Sequence, residues 1–216
     1  MQHDTVLVVA GGGAAPSASA LPTASAVVAA DGGVDIALGL GLRADVVVGD
    51  LDSASPQGIA TADAAGARIV RHPPEKDATD LELALDEAAA LGPRRLVMVG
   101  AAGGRLDHLL AGFLLLGSER YADFEVEALV GDARAYVIRS GRELAGEPGE
   151  LVSLLALHGP AEGVVTDGLV FPLRRETLLP GSSRGMSNVF TGQRARISLD
   201  CGVLLAVCPG AESGAE

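Results

Sequence analysis

The stretch RLVMVGAAGGRLDHLLAGFLLLG, residues 95–117, shows how this chain is built. It begins with a continuously apolar run at 95–99, which is typical of a strand buried on both faces of a sheet. A glycine-rich turn follows, and residues 106–117 then have the composition of a helix. Repetition of this strand–turn–helix order predicts an α/β fold with a mostly parallel sheet.

The same alternation occupies the first two-thirds of the chain. Further buried strands are predicted at 5–10, 26–30, 45–48 and 68–71, and further helices at 55–66 and 79–91. Thr79 and Glu82 have the spacing of a capping box, which marks the start of the second of these helices. We therefore predict an α/β domain over residues 1–140, with helices flanking the sheet.

The pattern changes after about residue 140. The polar segment RSGRELAGEPGE, residues 139–150, is interpreted as a linker because it carries Gly and Pro. Beyond it, short apolar runs alternate with turn-rich pieces and show no helical period, which predicts a small antiparallel β-sandwich over residues 141–216. A domain of this size buries little core alone, so we expect it to pack on the first domain or on a partner subunit.

Composition excludes several classes of protein. The 216 residues are 48% hydrophobic, which excludes a disordered chain, and their net charge of −12 argues against nucleic-acid binding. A nucleotide bound here would need a metal ion or a local basic patch to offset the carboxylates. The two cysteines form no disulfide framework, and no apolar run approaches the length of a membrane span. These features predict a cytoplasmic protein without membrane contact.

The acidic residues fall at one place in the predicted fold. They follow the ends of predicted strands: Asp31, Asp50, Asp52, Asp77, Asp80 and Asp107. In open α/β sheets this carboxyl edge is where ligands bind. Asp50 and Asp52 are two residues apart, so their side chains share one side of an extended segment. Because clustered carboxylates repel one another, the pattern predicts a cation, and Mg²⁺ suits hard oxygen ligands shared with phosphates.

Other residues at this edge suit a phosphate. The glycines of GAAGGRLDH (100–108) precede a helix, where backbone N–H groups favour negative charge. Arg105 offers a fork to phosphate oxygens, and Lys76, the one lysine among sixteen basic residues, offers a compact point charge. The segment VVAGGGAAP (8–16) is not interpreted as a dinucleotide fingerprint, because Pro16 stands where the third glycine should be.

Four of these motifs occur in an order that resembles a known family. DGG (31–33), GDLDS (49–53), KDATD (76–80) and GAAGGRLDHLLA (100–111), followed by a β region, look like thiamine pyrophosphokinase. The resemblance implies that residues 1–140 form an α/β nucleotide-binding catalytic domain and residues 141–216 a β-sandwich thiamine-binding domain. It implies a homodimer with its active sites near the subunit boundary. It also implies transfer of a diphosphate from ATP to thiamine, with Mg²⁺ as cofactor and AMP as the second product.

The resemblance also implies roles for individual residues. The metal ligands would be Asp31, Asp50, Asp52 and Asp77. The catalytic set would be Asp50, Asp52, Asp77, Lys76, Arg105 and Asp107. ATP would be bound by Asp31, Gly32, Thr79, Asp80, Gly103, Gly104 and His108, and thiamine by Phe171, Ser187 and Asn188.

Two departures from the family pattern bear on this interpretation. Gly112 stands where the family often has Asn, and Phe171 stands where Trp or Tyr is common. Stacking on the thiamine pyrimidine stays available to Phe171, whereas a hydroxyl or indole hydrogen bond does not. Two alternatives stay open: a 6-hydroxymethylpterin diphosphokinase, which shares the reaction type, and a non-catalytic thiamine-binding sensor of the same fold.

Overall fold

The computed structural model describes residues 4–13, 15–100 and 105–210. The chain divides into two compact units. The first comprises Met1–Leu115 with Asp123–Gly131, and the second comprises Leu116–Ala122 with Asp132–Glu216.

The first unit is built on a parallel sheet. Its strands are β1 (Thr5–Val9), β2 (Ala26–Ala30), β3 (Val46–Gly49), β4 (Arg68–Arg71), β5 (Arg95–Val99) and β6 (Glu125–Val130). They lie in the order β4-β3-β2-β1-β5-β6, and every neighbouring pair is parallel. The predicted mostly parallel sheet is confirmed, as are its first five strands. Strand β6 was not predicted.

Within the described residues, four α-helices connect or flank these strands: α1 (Gly33–Gly39), α2 (Pro56–Ala64), α3 (Asp80–Ala90) and α4 (Leu106–Leu116). The last three confirm the sequence predictions within two residues at each end. Thr79 caps α3 as expected, since its hydroxyl accepts a hydrogen bond from the Glu82 backbone N–H at 3.2 Å. Helix α1 was not predicted, because seven residues that include two glycines give little helical signal.

The helices cover both faces of the sheet. Ala37 of α1 belongs to one apolar cluster with Val97 and Val99 of β5. Met98, between them, lies instead near Gly112 of α4, 3.8 Å from where a Cβ on that glycine would stand. Since successive strand residues point to opposite faces, this alternation explains why the inner strands β1, β2, β3 and β5 are apolar at almost every position, whereas β4 at the sheet edge carries exposed Arg68 and Arg71.

The strand order fixes where a ligand can enter. From β1 the chain proceeds outward through β2, β3 and β4, and it returns to the other side of β1 with β5. The loops after β1 and β5 therefore leave the sheet in opposite directions. Such a reversal opens a crevice at the carboxyl ends of the strands.

The second unit is antiparallel, as predicted. Its strands are β7 (Ala133–Ile138), β8 (Gly141–Ala145), β9 (Leu151–Asp167), β10 (Arg174–Leu178), β11 (Asn188–Val189), β12 (Arg194–Ser198) and β13 (Cys201–Cys208). The 17-residue strand β9 serves two sets of partners. Its first half pairs with β11 and β13, and its second half pairs with β10 and β12. The strands share one core that includes Leu154, Phe190 and Ile197.

Two local predictions for this unit are wrong. The segment 139–150 is not a plain linker, because residues 141–145 form β8 and pair with β12. The turn-rich piece HGPAEG, residues 158–163, which the sequence places between two strands, lies within the single strand β9. Positive φ angles at His158 (59°) and Gly163 (65°) bend the strand there without interrupting it, which explains the turn-like sequence. In the described part of the chain, no helix is long and apolar enough to cross a membrane.

Candidate active site

A cleft of about 610 Å³ lies at the carboxyl edge of the parallel sheet, where the strand order predicts a crevice. Residues that follow β1, β2 and β3 line it, together with residues at the first turns of α3 and α4. Its lining includes eight of the residues singled out in the sequence: Asp31, Asp50, Asp52, Lys76, Thr79, Asp80, Arg105 and His108. Leu81, Ala111 and Leu115 add apolar surface to the same cleft.

Three carboxylates meet in this cleft. Asp31 directly follows β2, Asp50 follows β3, and Asp80 begins α3. One carboxylate oxygen from each lies within 4.8 Å of the others, and all three residues are partly buried. The sequence predicted Asp31 and Asp50 in such a cluster, but it placed Asp80 among the nucleotide contacts. We call Asp31, Asp50 and Asp80 the carboxylate trio.

Lys76 places a positive charge beside two members of the carboxylate trio. Its Nζ lies 3.1 Å from Asp50 Oδ2 and 3.1 Å from Asp80 Oδ1, and its side chain is only 13% exposed. The hydrogen bond from Lys76 holds the pKa of Asp50 below its usual value. Burial opposes the charge on Lys76, yet the paired carboxylates of Asp80 and Asp50 raise its pKa. Asp50 and Lys76 are therefore both ionised at neutral pH.

Asp80 keeps an oxygen with unused bonding capacity. Its Oδ1 is buried, and Lys76 Nζ lies 3.1 Å from it. Because a carboxylate oxygen carries more than one lone pair, this contact leaves the oxygen able to bind a further cation. Together with the nearby oxygens of Asp31 and Asp50, it forms a set of hard donors that suits a divalent cation.

The close approach of the trio depends on Gly49. A Cβ at this position would stand 2.8 Å from Asp80 Oδ1 and 3.2 Å from Asp31 Cβ, and the residue has a φ of 144°. Residues that carry a Cβ rarely adopt this φ angle, and a Cβ here would also collide with Asp80. Position 49, directly before Asp50, therefore requires glycine.

We expect Gly49→Ala to lower the free energy of unfolding by about 1–3 kcal/mol, because it combines backbone strain with a steric clash. The matched control is Gly39→Ala at the end of α1, where an added Cβ meets nothing within 4 Å. This control should be as stable as wild type or slightly more so. Urea denaturation of the three proteins measures the difference, and equal midpoints for the two variants would contradict the clash.

The backbone of the loop after β3 is held by hydrogen bonds to the carboxylates of Asp50 and Asp31. The Asp52 backbone N–H donates to Asp50 Oδ1 at 3.3 Å, and the Ser53 N–H donates to Asp31 Oδ1 at 3.2 Å. Asp52 itself is exposed, and its carboxylate accepts a 2.9 Å hydrogen bond from the Ser53 hydroxyl. Asp52 therefore lines the cleft at its solvent side, while Asp50 points into the trio.

The other predicted residues take different places. Arg105 and Asp107 form an exposed ion pair with contacts of 2.6 and 3.2 Å, and the Arg105 hydrogen bond lowers the pKa of Asp107 to about 2. Asp77 is exposed and, within the described residues, belongs to no carboxylate cluster. Gly32 follows Asp31 and approaches the Ser53 carbonyl. The predicted contacts Gly103 and Gly104 lie outside the described residues.

Sequence reasoning missed the loop after β1. Gly11 and Gly12 line the cleft, although this segment does not match a dinucleotide fingerprint. The start of α1 also lies close to β1. A Cβ on Gly33, the first residue of α1, would stand 2.0 Å from the Val9 carbonyl oxygen. A run of glycines directly after a buried strand is the signal that could have identified this loop.

The predicted thiamine contacts lie together in the second unit. Phe171 is 57% exposed, whereas Asn188 is 2% exposed. The Asn188 Oδ1 accepts hydrogen bonds from the N–H groups of Phe171 and Val189, and its Nδ2 donates to the Phe171 carbonyl. Ser187 is exposed, and its N–H donates to Ser153 Oγ. Asn188 therefore fixes the backbone that presents the Phe171 ring.

Comparison with known proteins matches two parts of the chain to two domains of one family. Residues 18–127 match the family model of the thiamin pyrophosphokinase catalytic domain, and residues 136–204 match that of the thiamin pyrophosphokinase vitamin B1 binding domain. Thiamine pyrophosphokinase of Bacillus subtilis (strain 168) is 26% identical over 161 residues, which are 74% of this chain and 75% of the relative.

Solved structures give the same result for the fold. The crystal structure of thiamine pyrophosphokinase from Bacillus subtilis superposes with a TM-score of 0.84 at 22% identity, covering 96% of this chain and all of that one. A thiamin pyrophosphokinase family protein from Enterococcus faecalis superposes with a TM-score of 0.79 at 26% identity, covering 94% and 97%. Because the first family model alone covers half of the sequence and the second covers most of the rest, the chain belongs to the thiamin pyrophosphokinase family.

Proposed function

We propose that this protein transfers the terminal diphosphate of ATP to the hydroxyl of thiamine, giving thiamine diphosphate and AMP. The observation that carries the proposal is the carboxylate trio together with the partly buried Lys76, in a cleft at the carboxyl edge of the parallel sheet. Family membership supplies the substrate class, and the trio supplies a means of binding a triphosphate on a protein of net charge −12.

Mg²⁺ fits the residues of the trio. Asp31, Asp50 and Asp80 each offer a carboxylate oxygen, and these oxygens lie within 4.8 Å of one another. When bound, Mg²⁺ would offset phosphate charge and polarise the phosphoryl oxygens. We therefore assign Asp80 to the metal ligands beside Asp31 and Asp50. Asp52, at the solvent side of the cleft, stays a proposed ligand, while the exposure of Asp77 favours a lesser role.

The chemistry requires positioning more than covalent help from the protein. The thiamine hydroxyl oxygen attacks the β-phosphorus of ATP, the bond from that phosphorus to the α,β-bridging oxygen breaks, and AMP leaves as the hydroxyl proton is lost. Lys76 can balance charge on the β- and γ-phosphates from within the trio. Arg105 can turn from Asp107 to the phosphates, because their ion pair is exposed and costs little to break. Such alignment and charge balance account for most catalysis in phosphoryl transfers.

The second unit is proposed to bind thiamine through the Phe171 ring. Its exposure leaves a face free for stacking on the pyrimidine, and Asn188 holds the Phe171 backbone from both sides. The predicted role of Asn188 thus becomes one of support rather than direct contact. Ser187 stays a proposed contact. The homodimer, its site near the subunit boundary and the cytoplasmic location stay predictions.

We expect Asn188→Ala to lower the free energy of unfolding by about 1–3 kcal/mol, because it removes the three partly buried hydrogen bonds that the Asn188 amide makes to the Phe171 and Val189 backbone. It should also raise the KM for thiamine more than the KM for ATP, since the Phe171 backbone loses its support. Urea denaturation and steady-state kinetics measure the two effects. The control Gln193→Ala removes an exposed amide and should change stability by less than about 0.5 kcal/mol. Equal KM increases for both substrates would contradict the assignment.

The proposal is tested by substrate choice. Purified protein is incubated with Mg²⁺ and ATP and with either thiamine or 6-hydroxymethylpterin, and the products are identified by mass. We expect thiamine diphosphate with thiamine and no diphosphorylated pterin. Formation of the pterin diphosphate alone would reassign the enzyme to the alternative substrate. Thiamine binding without any product would identify the non-catalytic sensor.

A further inference from the structure

Asp35 lies in the first turn of α1, four residues after Asp31, and it is absent from the described lining of the cleft. Its carboxylate is nevertheless fully used. The Oδ2 accepts a 2.7 Å hydrogen bond from the Ser55 backbone N–H, and the Oδ1 accepts a 2.5 Å hydrogen bond from the Ser55 hydroxyl. Since both Ser55 groups donate, both carboxylate oxygens of Asp35 act as acceptors.

Ser55 connects this bond to the next helix. It is the N-cap of α2, and its Oγ accepts a 2.9 Å hydrogen bond from the Gly58 backbone N–H. The hydroxyl therefore donates to Asp35 and accepts from α2 at the same time. Because the hydroxyl has a single proton, its orientation is fixed by these two contacts. Asp35, Ser55 and the first turn of α2 form one connected unit.

A parallel bond lies two residues earlier in the same loop. The Ser53 N–H donates to Asp31 Oδ1, so residues 53 and 55 are bonded to residues 31 and 35. Two positions of the loop thus pair with two positions about one turn apart in the segment that starts α1. These two attachments hold the loop 50–55, which carries Asp50, against the segment that carries Asp31.

The sequence leaves room for this contact at Gly58. A Cβ on Gly58 would stand 2.2 Å from Asp35 Oδ1, and Gly58 is buried. Glycine is otherwise unfavourable in the first turns of a helix, so its presence in α2 has a steric reason. Asp35 and Gly58 are therefore complementary, although neither touches the cleft directly in the described structure.

We propose that Asp35 is a positioning residue, which through Ser55 holds the loop 50–55 so that Asp50 stays within reach of Asp31 and Asp80. Loss of this attachment lets Asp50 move away from the other two carboxylates. The affinity of the trio for a divalent cation then falls, while the phosphate-binding and thiamine-binding groups remain. The inference rests on the proposed function only in its assignment of the trio as the metal site.

The test measures metal binding without the reaction. Mn²⁺ is titrated into the protein in the absence of nucleotide, and free Mn²⁺ is followed by electron paramagnetic resonance. In Asp35→Asn, an amide N–H₂ faces one of the two Ser55 donors, so we expect the Kd for Mn²⁺ to rise at least tenfold. The Mg²⁺ concentration for half-maximal rate should rise in parallel, with most of kcat recovered at saturating Mg²⁺.

Two further variants reach the same contact from other sides. Ser55→Ala removes the hydroxyl, and Gly58→Ala places a methyl group against Asp35 Oδ1. Both should weaken Mn²⁺ binding in the same direction as Asp35→Asn, so the inference stays testable if one variant does not fold. The control Asp63→Asn alters an exposed carboxylate of α2 outside the described cleft lining and should leave the Kd unchanged.

The outcomes separate this inference from the proposed function. Unchanged Mn²⁺ affinity in folded Asp35→Asn, Ser55→Ala and Gly58→Ala proteins would overturn it, even if the wild type makes thiamine diphosphate. Wild-type protein that binds no Mn²⁺ would overturn it as well. Weakened Mn²⁺ binding in a protein that makes no thiamine diphosphate would support the positioning role and reject the proposed function.

Discussion

Asp50→Asn should lower kcat at least 100-fold, which corresponds to about 2.7 kcal/mol of lost transition-state stabilisation. Asp50 is one of the two members of the carboxylate trio that pair with Lys76, each at 3.1 Å. Its replacement by an amide removes one charge from the proposed metal site and one partner from the lysine. An amide oxygen is a poor substitute, because the charge of the ligand set governs the affinity for a hard cation.

The matched control is Asp63→Asn, which makes the same chemical change on the exposed surface of α2. Steady-state rates at saturating Mg²⁺ and ATP are compared for the two variants, with circular dichroism to verify folding. The control should retain the wild-type kcat. A folded Asp50→Asn protein that keeps more than a tenth of the wild-type kcat would show that Asp50 does not bind the metal.

Lys76→Arg is expected to lower kcat at least tenfold, although it preserves the positive charge. The ammonium group lies between two carboxylates in a space where its side chain is 13% exposed. A planar guanidinium is larger and offers its donors in a fixed fork, so it fits poorly where a compact charge must face Asp50, Asp80 and a phosphate. Steady-state kinetics with ATP as the varied substrate measure the loss.

Lys76→Met separates shape from charge, because it keeps the length of the side chain and removes the ammonium. We expect it to lower kcat further than Lys76→Arg does. Arg43→Lys, which alters an exposed partner of Asp45, is the control for exchange of one cation by another and should leave kcat unchanged. Wild-type activity in Lys76→Arg would mean that any cation suffices and that the single lysine is incidental.

The fold was predictable where burial makes the pattern strong. Largely apolar runs identified β1, β2, β3 and β5, because strands covered by helices on both faces have few polar positions. Strand β4, at the sheet edge, was predicted as a buried strand, but its ends are exposed and its middle is only partly buried. Helix α1 and strand β6 were missed for the opposite reason. The first is short and rich in glycine, and the second carries Glu125 and Glu127, whose partners Arg94 and Arg95 come from β5 or the residue before it. Such tertiary ion pairs cannot be identified from local sequence.

The site was predictable to the level of the sheet edge. Acidic residues after strand ends identified Asp31 and Asp50, since the parallel topology brings these ends together. The family resemblance placed Asp77 among the metal ligands and Asp80 among the ATP contacts, whereas the third member of the trio is Asp80. These two residues stand three residues apart, and the start of α3 turns only Asp80 into the cleft. Asp35 was missed because its function depends on a serine twenty residues away.

The most direct test of the account is to follow the phosphates of ATP separately. The protein is incubated with Mg²⁺, thiamine and ATP labelled with ³²P at either the α- or the γ-phosphorus, and the labelled products are separated by chromatography. Attack at the β-phosphorus predicts that the α label appears in AMP and the γ label in thiamine diphosphate. Recovery of the α label in ADP, with the γ label in thiamine monophosphate or orthophosphate, would contradict diphosphate transfer.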